Sequence, residues 1–440
     1  MVKTPSPARI AIIGGGYAGL SCAVELARAG VHVSVFERGR VLGGRARVVF
    51  HEGHSLDNGQ HILIGGYTET ARMLRQVGVS PKTLERRPLT LDIPGHLRLV
   101  AARLPAPFHL AVGLLRARGL DWTDRRAMLR LMRHLKRTNF SVAPEMTVLE
   151  LLHSTQQTPR LNELVWIPLC VAALNTPVNA ASAQVFVNVL RDSLAADAGA
   201  SELLIPRTDL TELFPVQAAR WLATRRGRVD TGRTIKTLTR EPDGFALNGD
   251  SQRYDQVVIA TAPYHAGALL RPLGCESLAD RIDALQHEPI TTVYFAFSED
   301  VELPETMIGL TDGPAQWAFD RGALNGDHGQ IACVISAHGP HEALSQEALH
   351  NAVHKQLSQH LSRTLPKPLW VLTITERRAT IACTPGIYRP GPKTPVDGLW
   401  LAGDYLDSPY PATIESAVRS GCAAAQAALH HTTDRNGIPV

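Results

Sequence analysis

Glycines at Gly14, Gly16 and Gly19, with an acid at Glu37, 23 residues past the first of them, have the spacing of a dinucleotide site. The glycines allow a tight turn and let a pyrophosphate approach the backbone. The helix that would open at Tyr17 and Ala18 offers free N–H groups and the positive end of its dipole. Glu37, with Arg38 beside it, stands about where a carboxylate is needed for a ribose diol. The alternative is a glycine-rich β–α turn that binds nothing.

Val41-Leu42-Gly43-Gly44-Arg45-Ala46 follows directly. This Gly-Gly-Arg segment after a second strand resembles the extended FAD fingerprint of the flavin amine oxidase and phytoene desaturase superfamily. Paired glycines let the chain pass close to a cofactor, and Arg45 can meet a phosphate with a forked donor; a surface turn with a solvated arginine is the plainer reading. A second anchor lies near the C-terminus, Leu401-Ala402-Gly403-Asp404, followed by Tyr410-Pro411-Ala412-Thr413-Ile414. Gly403 permits close approach, Asp404 can bond a ribityl or phosphate-side group, and Pro411 suits a helix start. A helix N-terminus aimed at the flavin N1/O2 edge would stabilise the charge of a reduced ring. By the resemblance, Thr413 and Ile414 belong to the segment that meets the ring, and Ile235, read as part of a strand, would meet adenine through its backbone.

Elements must position these motifs. Arg9–Gly14 and 32–37 are apolar runs that read as strands around a helix at 18–29. The middle is helix-rich, with apolar residues at helical spacing over 124–136, 147–153, 162–173 and 181–194; Thr147 with Glu150 has the form of a capping box. Strand patterns return at 233–239, 245–247, 256–260, 291–297, 316–319, 331–336, 369–375 and 398–402, before a helix over about 412–429. At 440 residues the chain is too long for one ordinary core. The expectation is an α/β fold: a Rossmann-like FAD-binding domain of the glutathione reductase type built from 1–88, 200–288 and 390–440. A discontinuous α+β substrate domain would occupy 89–199 and 289–389, helical first and strand-rich second.

Composition is globular, 44% hydrophobic and 20% charged. The six cysteines are scattered without a Cys-x-x-Cys pair, which argues against a zinc site or disulfide framework and fits a reducing cytoplasm. No metal is expected. No stretch reaches the roughly 18 uncharged apolar residues of a spanning helix. Net charge is +4 but uneven: residues 97–137 hold ten Lys/Arg against Asp121 and Asp124, among large apolar residues. That mixture reads either as a helix lying on an anionic bilayer, at the inner face of the cytoplasmic membrane, or as ordinary amphipathic helices with solvated arginines. Nucleic acid is disfavoured, because aromatics do not recur between the basic residues.

Asp57-Asn58-Gly59-Gln60-His61 lies about a dozen residues past the Gly-Gly-Arg turn. With Pro168–Thr176, Ala183–Asp192 and Leu401–Tyr405, it resembles the hydroxysqualene dehydroxylases, nearly end to end. The resemblance implies reduction of hydroxysqualene, a long apolar isoprenoid, to squalene with reduced FAD in hopanoid synthesis. A protonated allylic alcohol loses water readily to give a delocalised cation, which hydride from flavin N5 quenches; the protein must supply an apolar tunnel, a proton donor and exclusion of water. Asp57 and His61 are candidate donors; equally, Asp57 caps a turn while Gln60 and His61 pack over the flavin. Asn188 and Asp192, spaced i,i+4, could share a helix face and reach one hydroxyl. An oxidative carotenoid or phytoene desaturase is the nearest rival. A flavin amine oxidase is further off, and so is a flavin-free prenyl-binding carrier of the Rab GDP-dissociation inhibitor type. With one dinucleotide fingerprint present, the external electron donor is not named.

Overall fold

The computed structural model describes residues 8–298 and 301–436. β1 (Arg9–Ile13), α1 (Tyr17–Arg28) and β2 (His32–Phe36) open the chain. The β3–β4 hairpin (Val48–His51, His54–Asp57) and α2 (Thr68–Gln76) follow. Next come α3 (Phe108–Arg116), α4 (Trp122–Arg137), α5 (Val148–Ser154), α6 (Ile167–Leu174) and α7 (Ala183–Val189). β5 (Gly227–Asp230) and β6 (Gln256–Ile259) return the chain to the first sheet. β7 (His287–Ala296), β8 (Met307–Gly309), β9 (Trp317–Asp320), β10 (Gln330–Ser336) and β11 (Trp370–Ile381) form a second one. β12 (Leu399–Leu401) and α8 (Ile414–Asn436) close the chain.

The first sheet is parallel, ordered β5-β2-β1-β6-β12. Its central strands, Ile10-Ala11-Ile12-Ile13 and Val257-Val258-Ile259, are apolar on both faces because both are covered, one by helices and the other by a small antiparallel sheet over 238–254 with the helices at 263–283. α1 and α8 pack on the first of these faces, so closely that a Cβ on Gly421 would lie 2.1 Å from the Ala18 carbonyl oxygen. The second sheet is antiparallel, ordered β8-β9-β10-β7-β11, with a register shift between Glu288 and Ile290. Helices α4 to α7 share a separate core that includes Leu131, Leu152, Phe186 and Val187. The α/β expectation is met, with strands of the cofactor sheet drawn from three separated stretches of chain.

Several local expectations fail for identifiable reasons. The helix read over 162–173 is broken: a π turn spans Asn162–Trp166, with the Ile167 N–H reaching the Asn162 carbonyl. Pro168 has no N–H for the Leu164 carbonyl and its ring crowds that carbonyl, so the turn widens before α6. The helix read over 181–194 also changes to a π turn, at Leu190, where the Ser193 hydroxyl back-bonds to the Val189 carbonyl. The strand read over 233–239 starts only at Leu238. The Asn248 side chain takes the Lys236 and Thr237 N–H groups and donates to the Thr234 carbonyl, replacing a ladder; Ile235 is therefore in irregular backbone. Residues 97–100 of the basic segment are a strand, paired with 90–93, and not part of a helix. The capping box at Thr147 and Glu150 forms as read.

Candidate functional site

The glycine turn sits at the carboxyl end of β1, the crevice side of a parallel sheet. Gly14 has φ +121°, and a Cβ there would stand 2.4 Å from the Ala260 carbonyl oxygen at the end of β6. Gly14→Ala is therefore expected to yield protein without flavin, read as the flavin-to-protein absorbance ratio after purification. Gly16 bridges to Gly43, and Gly43 N–H donates to the Gly15 carbonyl, so the Gly43-Gly44-Arg45 loop lies on the turn. Glu37 closes β2, its carboxylate accepting from the Gly15 and Gly39 N–H groups, both at 2.7 Å. Arg38 is exposed beside it. Ile235 follows Arg233, whose N–H donates to the Glu37 carbonyl. The N–H and carbonyl of Ile235 take no protein partner among the described residues, so a purine edge could use them. Ala18 and Gly19 are buried in the first turn of α1. Tyr17 departs from the reading: its hydroxyl donates to the Leu210 carbonyl at 2.8 Å and its ring packs on Phe214, leaving only its backbone for a ligand.

The C-terminal motif is joined to this turn by an ion pair. Arg45 donates to Asp404 at 2.5 Å, across 359 residues of sequence, and to the Ala379 carbonyl at 2.6 Å. Burial works against the Arg45 cation, but Asp404 more than compensates and raises its pKa. Gly403 N–H donates to the Ser420 hydroxyl of α8. Thr413 caps α8, accepting from the Ser416 N–H, while the N–H groups of Thr413, Ile414 and Glu415 take no protein partner among the described residues. Buried polar atoms also stand without partners around this space: Thr261 Oγ1, His287 Nε2, Tyr405 OH, Gln60 Oε1 and Thr292 Oγ1. Unmade hydrogen bonds in the interior are costly. A polar ring system edged by the α8 N-terminus would satisfy such groups, and the site fits a flavin.

Asp57 ends β4 and accepts from the Leu210 N–H at 2.9 Å; the Tyr294 hydroxyl donates to its carbonyl. Burial pushes its carboxyl up to about 7, against the lowering pull of the Leu210 N–H and Arg321. Gly59 follows, facing Ile290 and Thr292 of β7. His61 donates from Nδ1 to the Gly59 carbonyl at 2.7 Å, which leaves Nε2 as the acceptor of a neutral ring. Burial, and then the Arg45 cation, hold His61 below the usual histidine range. Beside this loop lies an apolar face only partly covered: Ile62, Ile64, Ile290, Leu372 and Ile374.

Asn188 and Asp192 do not share one α-helical face, because the π turn intervenes. Each grips the loop before α8. Asn188 donates to the Pro409 carbonyl, and Asp192 accepts from the Tyr410 hydroxyl at 2.7 Å. The Arg191–Asp192 pair is partly exposed. Sequence reading missed Arg389, which is half-buried and forms no ion pair with a carboxylate among the described residues. It donates to the Asp404 and Tyr410 carbonyls, both at 2.6 Å, and more loosely to those of Ser408 and Tyr405. An arginine that serves carbonyls has no fixed spacing to betray it. Among the described residues no cluster suits a metal ion.

Comparison with known proteins fits this geometry. A family model described as flavin containing amine oxidoreductase matches residues 17–429. A hydroxysqualene dehydroxylase of Rhodopseudomonas palustris is 30% identical, covering 95% of this chain and 97% of that one. A 15-cis-phytoene desaturase of Synechococcus elongatus is 24% identical, covering 96% of each. An oxidoreductase structure from Methanosarcina mazei superimposes with TM-score 0.73 at 15% identity, over 96% of this chain and 100% of that one.

Proposed function

Because the chain belongs to the flavin containing amine oxidoreductase family, we propose that it is an FAD-dependent enzyme that reduces hydroxysqualene to squalene. The observation that carries this reading is the 30% identity to a hydroxysqualene dehydroxylase over nearly the full length of both chains. The likeness to a phytoene desaturase, at 24%, is weaker over the same span. FAD is the cofactor, with the glycine turn and Glu37 suited to its adenosine half and the α8 N-terminus to its ring.

Reduced FAD supplies the hydride. The chain's own residues must free the allylic hydroxyl as water and keep other water away. The face formed by Ile62, Ile64, Ile290, Leu372 and Ile374 gives a polyprenyl chain an apolar bed that excludes competing nucleophiles. Of the two candidate acids, His61 is disfavoured as a cation and commits its Nδ1–H to the Gly59 carbonyl, whereas Asp57 keeps a proton near neutrality. Asp57 is the proton donor in this reading, and turnover should fall as pH rises through about 7. Asn188 and Asp192 act by positioning the 409–410 loop. A substrate this apolar partitions into bilayers, and the enzyme would meet it there.

Asp57→Asn separates catalysis from structure, since an amide oxygen can still accept from the Leu210 N–H. The folded state binds the Asp57 proton more tightly than the unfolded chain does. That contribution to stability is full below a pH of about 4 and is lost as pH rises to about 7. Asp57→Asn should therefore be the more stable protein above pH 7, by on the order of 4 kcal/mol in denaturant titrations. Its turnover should drop by about 10²–10⁴. A variant that gains stability yet keeps full turnover removes Asp57 from the chemistry.

The reaction itself is tested by a single turnover. The flavin is reduced anaerobically, hydroxysqualene is added, and flavin absorbance and lipid product are followed together. Stoichiometric reoxidation with squalene formed is expected. A flavin that stays reduced, with hydroxysqualene recovered intact, would transfer the assignment to an oxidative polyene desaturase.

A further inference from the structure

On most amphipathic helices the apolar stripe faces the core. α3 carries a second one facing out. Phe108, Ala111, Val112 and Leu115 follow i, i+3, i+4, i+7; Phe108 is 61% and Leu115 58% exposed, while His109, Gly113 and Leu114 fill the interior side. Trp122, at the start of α4, is 64% exposed, and Leu129, two turns along the same face of α4, is exposed too, as is Leu104 before α3. These side chains are set among unneutralised cations. Arg103, Arg116, Arg126, Arg133, Lys136 and Arg137 are exposed and meet no acid among the described residues. The two acids of the segment are occupied at the head of α4. Asp121 accepts from the Asp124 N–H, and Asp124 accepts from the Asp121 N–H and the Thr158 hydroxyl.

A protein surface avoids large exposed apolar residues unless something covers them. Here the surrounding charge says what does: apolar anchors ringed by free Lys and Arg complement the interface of an anionic bilayer, where a Trp ring also sits well. We propose that α3 and α4 dock this protein on an anionic lipid bilayer, with Phe108, Leu115 and Trp122 entering the acyl boundary and the arginines at the headgroups. No helix among the described residues is long and apolar enough to cross a membrane, so the contact is with one leaflet. The same helices lead inward. Ala127, Leu131 and Leu135 of α4 share a core with Phe186 and Val187 of α7, whose neighbour Asn188 holds Pro409. One helical layer thus joins the bilayer-facing surface to the flavin loop. The docking serves to collect a polyprenyl substrate, and in that purpose it rests on the function proposed above.

The test is co-sedimentation of the full-length flavin-loaded protein with vesicles of phosphatidylcholine, alone or with roughly 30% phosphatidylglycerol. Binding should be about tenfold or more tighter to the anionic vesicles and should fall steeply with added salt. The triple variant Phe108→Ser/Leu115→Ser/Trp122→Ser changes only outward side chains. It and Arg126→Glu/Arg133→Glu should each weaken binding about tenfold or more, with flavin content and circular dichroism unchanged. Single-turnover rates on detergent-dispersed hydroxysqualene should match the parent in both variants, so a failed docking and a failed substrate assignment give different results. Absence of binding to anionic vesicles overturns the proposal, as does a triple variant that binds like the parent. So does concentration-dependent self-association that the triple substitution abolishes, seen without vesicle binding.

Discussion

Arg389→Met is expected to give a protein that folds its apolar cores and retains no flavin. The guanidinium gathers the carbonyls of Asp404, Tyr405, Ser408 and Tyr410, and so sets the path between β12 and the head of α8. Methionine fills the volume but donates nothing. The two carbonyls bonded at 2.6 Å would then be stranded, at about 1–3 kcal/mol each, a large part of a typical folding free energy. The chain can recover that loss only by letting the loop move, and the loop carries Asp404 and leads to Ile414. Flavin occupancy at purification and the urea midpoint should therefore fall together. Arg389→Lys should recover little of either, since an ammonium is one point of charge and cannot fork across four acceptors. A methionine variant that purifies fully yellow would show that the loop holds its shape without this residue.

Arg45→Met should cost about 3 kcal/mol and abolish flavin binding. Removing one member of a buried pair leaves the other charged and uncompensated. The lower end of the usual range applies because Arg45 keeps 25% of its side chain in contact with solvent, against 10% for Asp404. The double variant Arg45→Met/Asp404→Leu should recover most of the lost stability, since no lone charge remains. It should stay without flavin, because a phosphate then meets no cation and the ribityl side no carboxylate. Denaturant titration of the two single variants and the double variant gives the coupling energy. Recovery of flavin in the double variant would mean that the pair is purely structural.

The glycine turn and the Gly-Gly-Arg loop were legible in the sequence because the main chain there passes close to other protein atoms, and such close approach leaves glycines behind. Gly14, Gly43 and Gly403 mark places where a side chain would strike the main chain or a ring. Gly14 also holds a φ that other residues rarely adopt. Elements failed where a single side chain overrode periodicity: Asn248 satisfied the backbone around Ile235, and Pro168 opened the turn at Asn162–Trp166. The shared α-helical face expected of Asn188 and Asp192 failed for a related reason, since i,i+4 spacing means a shared face only while the helix stays α. Arg389 was illegible because the groups it serves are carbonyls, which every residue has. The uneven charge of residues 97–137 was plain from composition; that α3 points apolar side chains outward became visible only once its inner face was known.

The three-stretch origin of the parallel sheet bears on how the protein is made. Arg9 N–H is bonded to the Asp255 carboxylate 246 residues away, and β6 in turn pairs with β12. Contacts this distant in sequence form slowly, because a long loop must close before any of them stabilises the chain. During synthesis, β1 and β2 emerge long before β6 and β12, and the apolar edge of β1 must wait unpaired while the helical and antiparallel parts are completed. A flavin seated as proposed draws on β1, β2 and the β12–α8 junction together, so cofactor capture would belong to the last stage of folding. Expression in flavin-limited cells should then lower the yield of intact protein, not merely its colour.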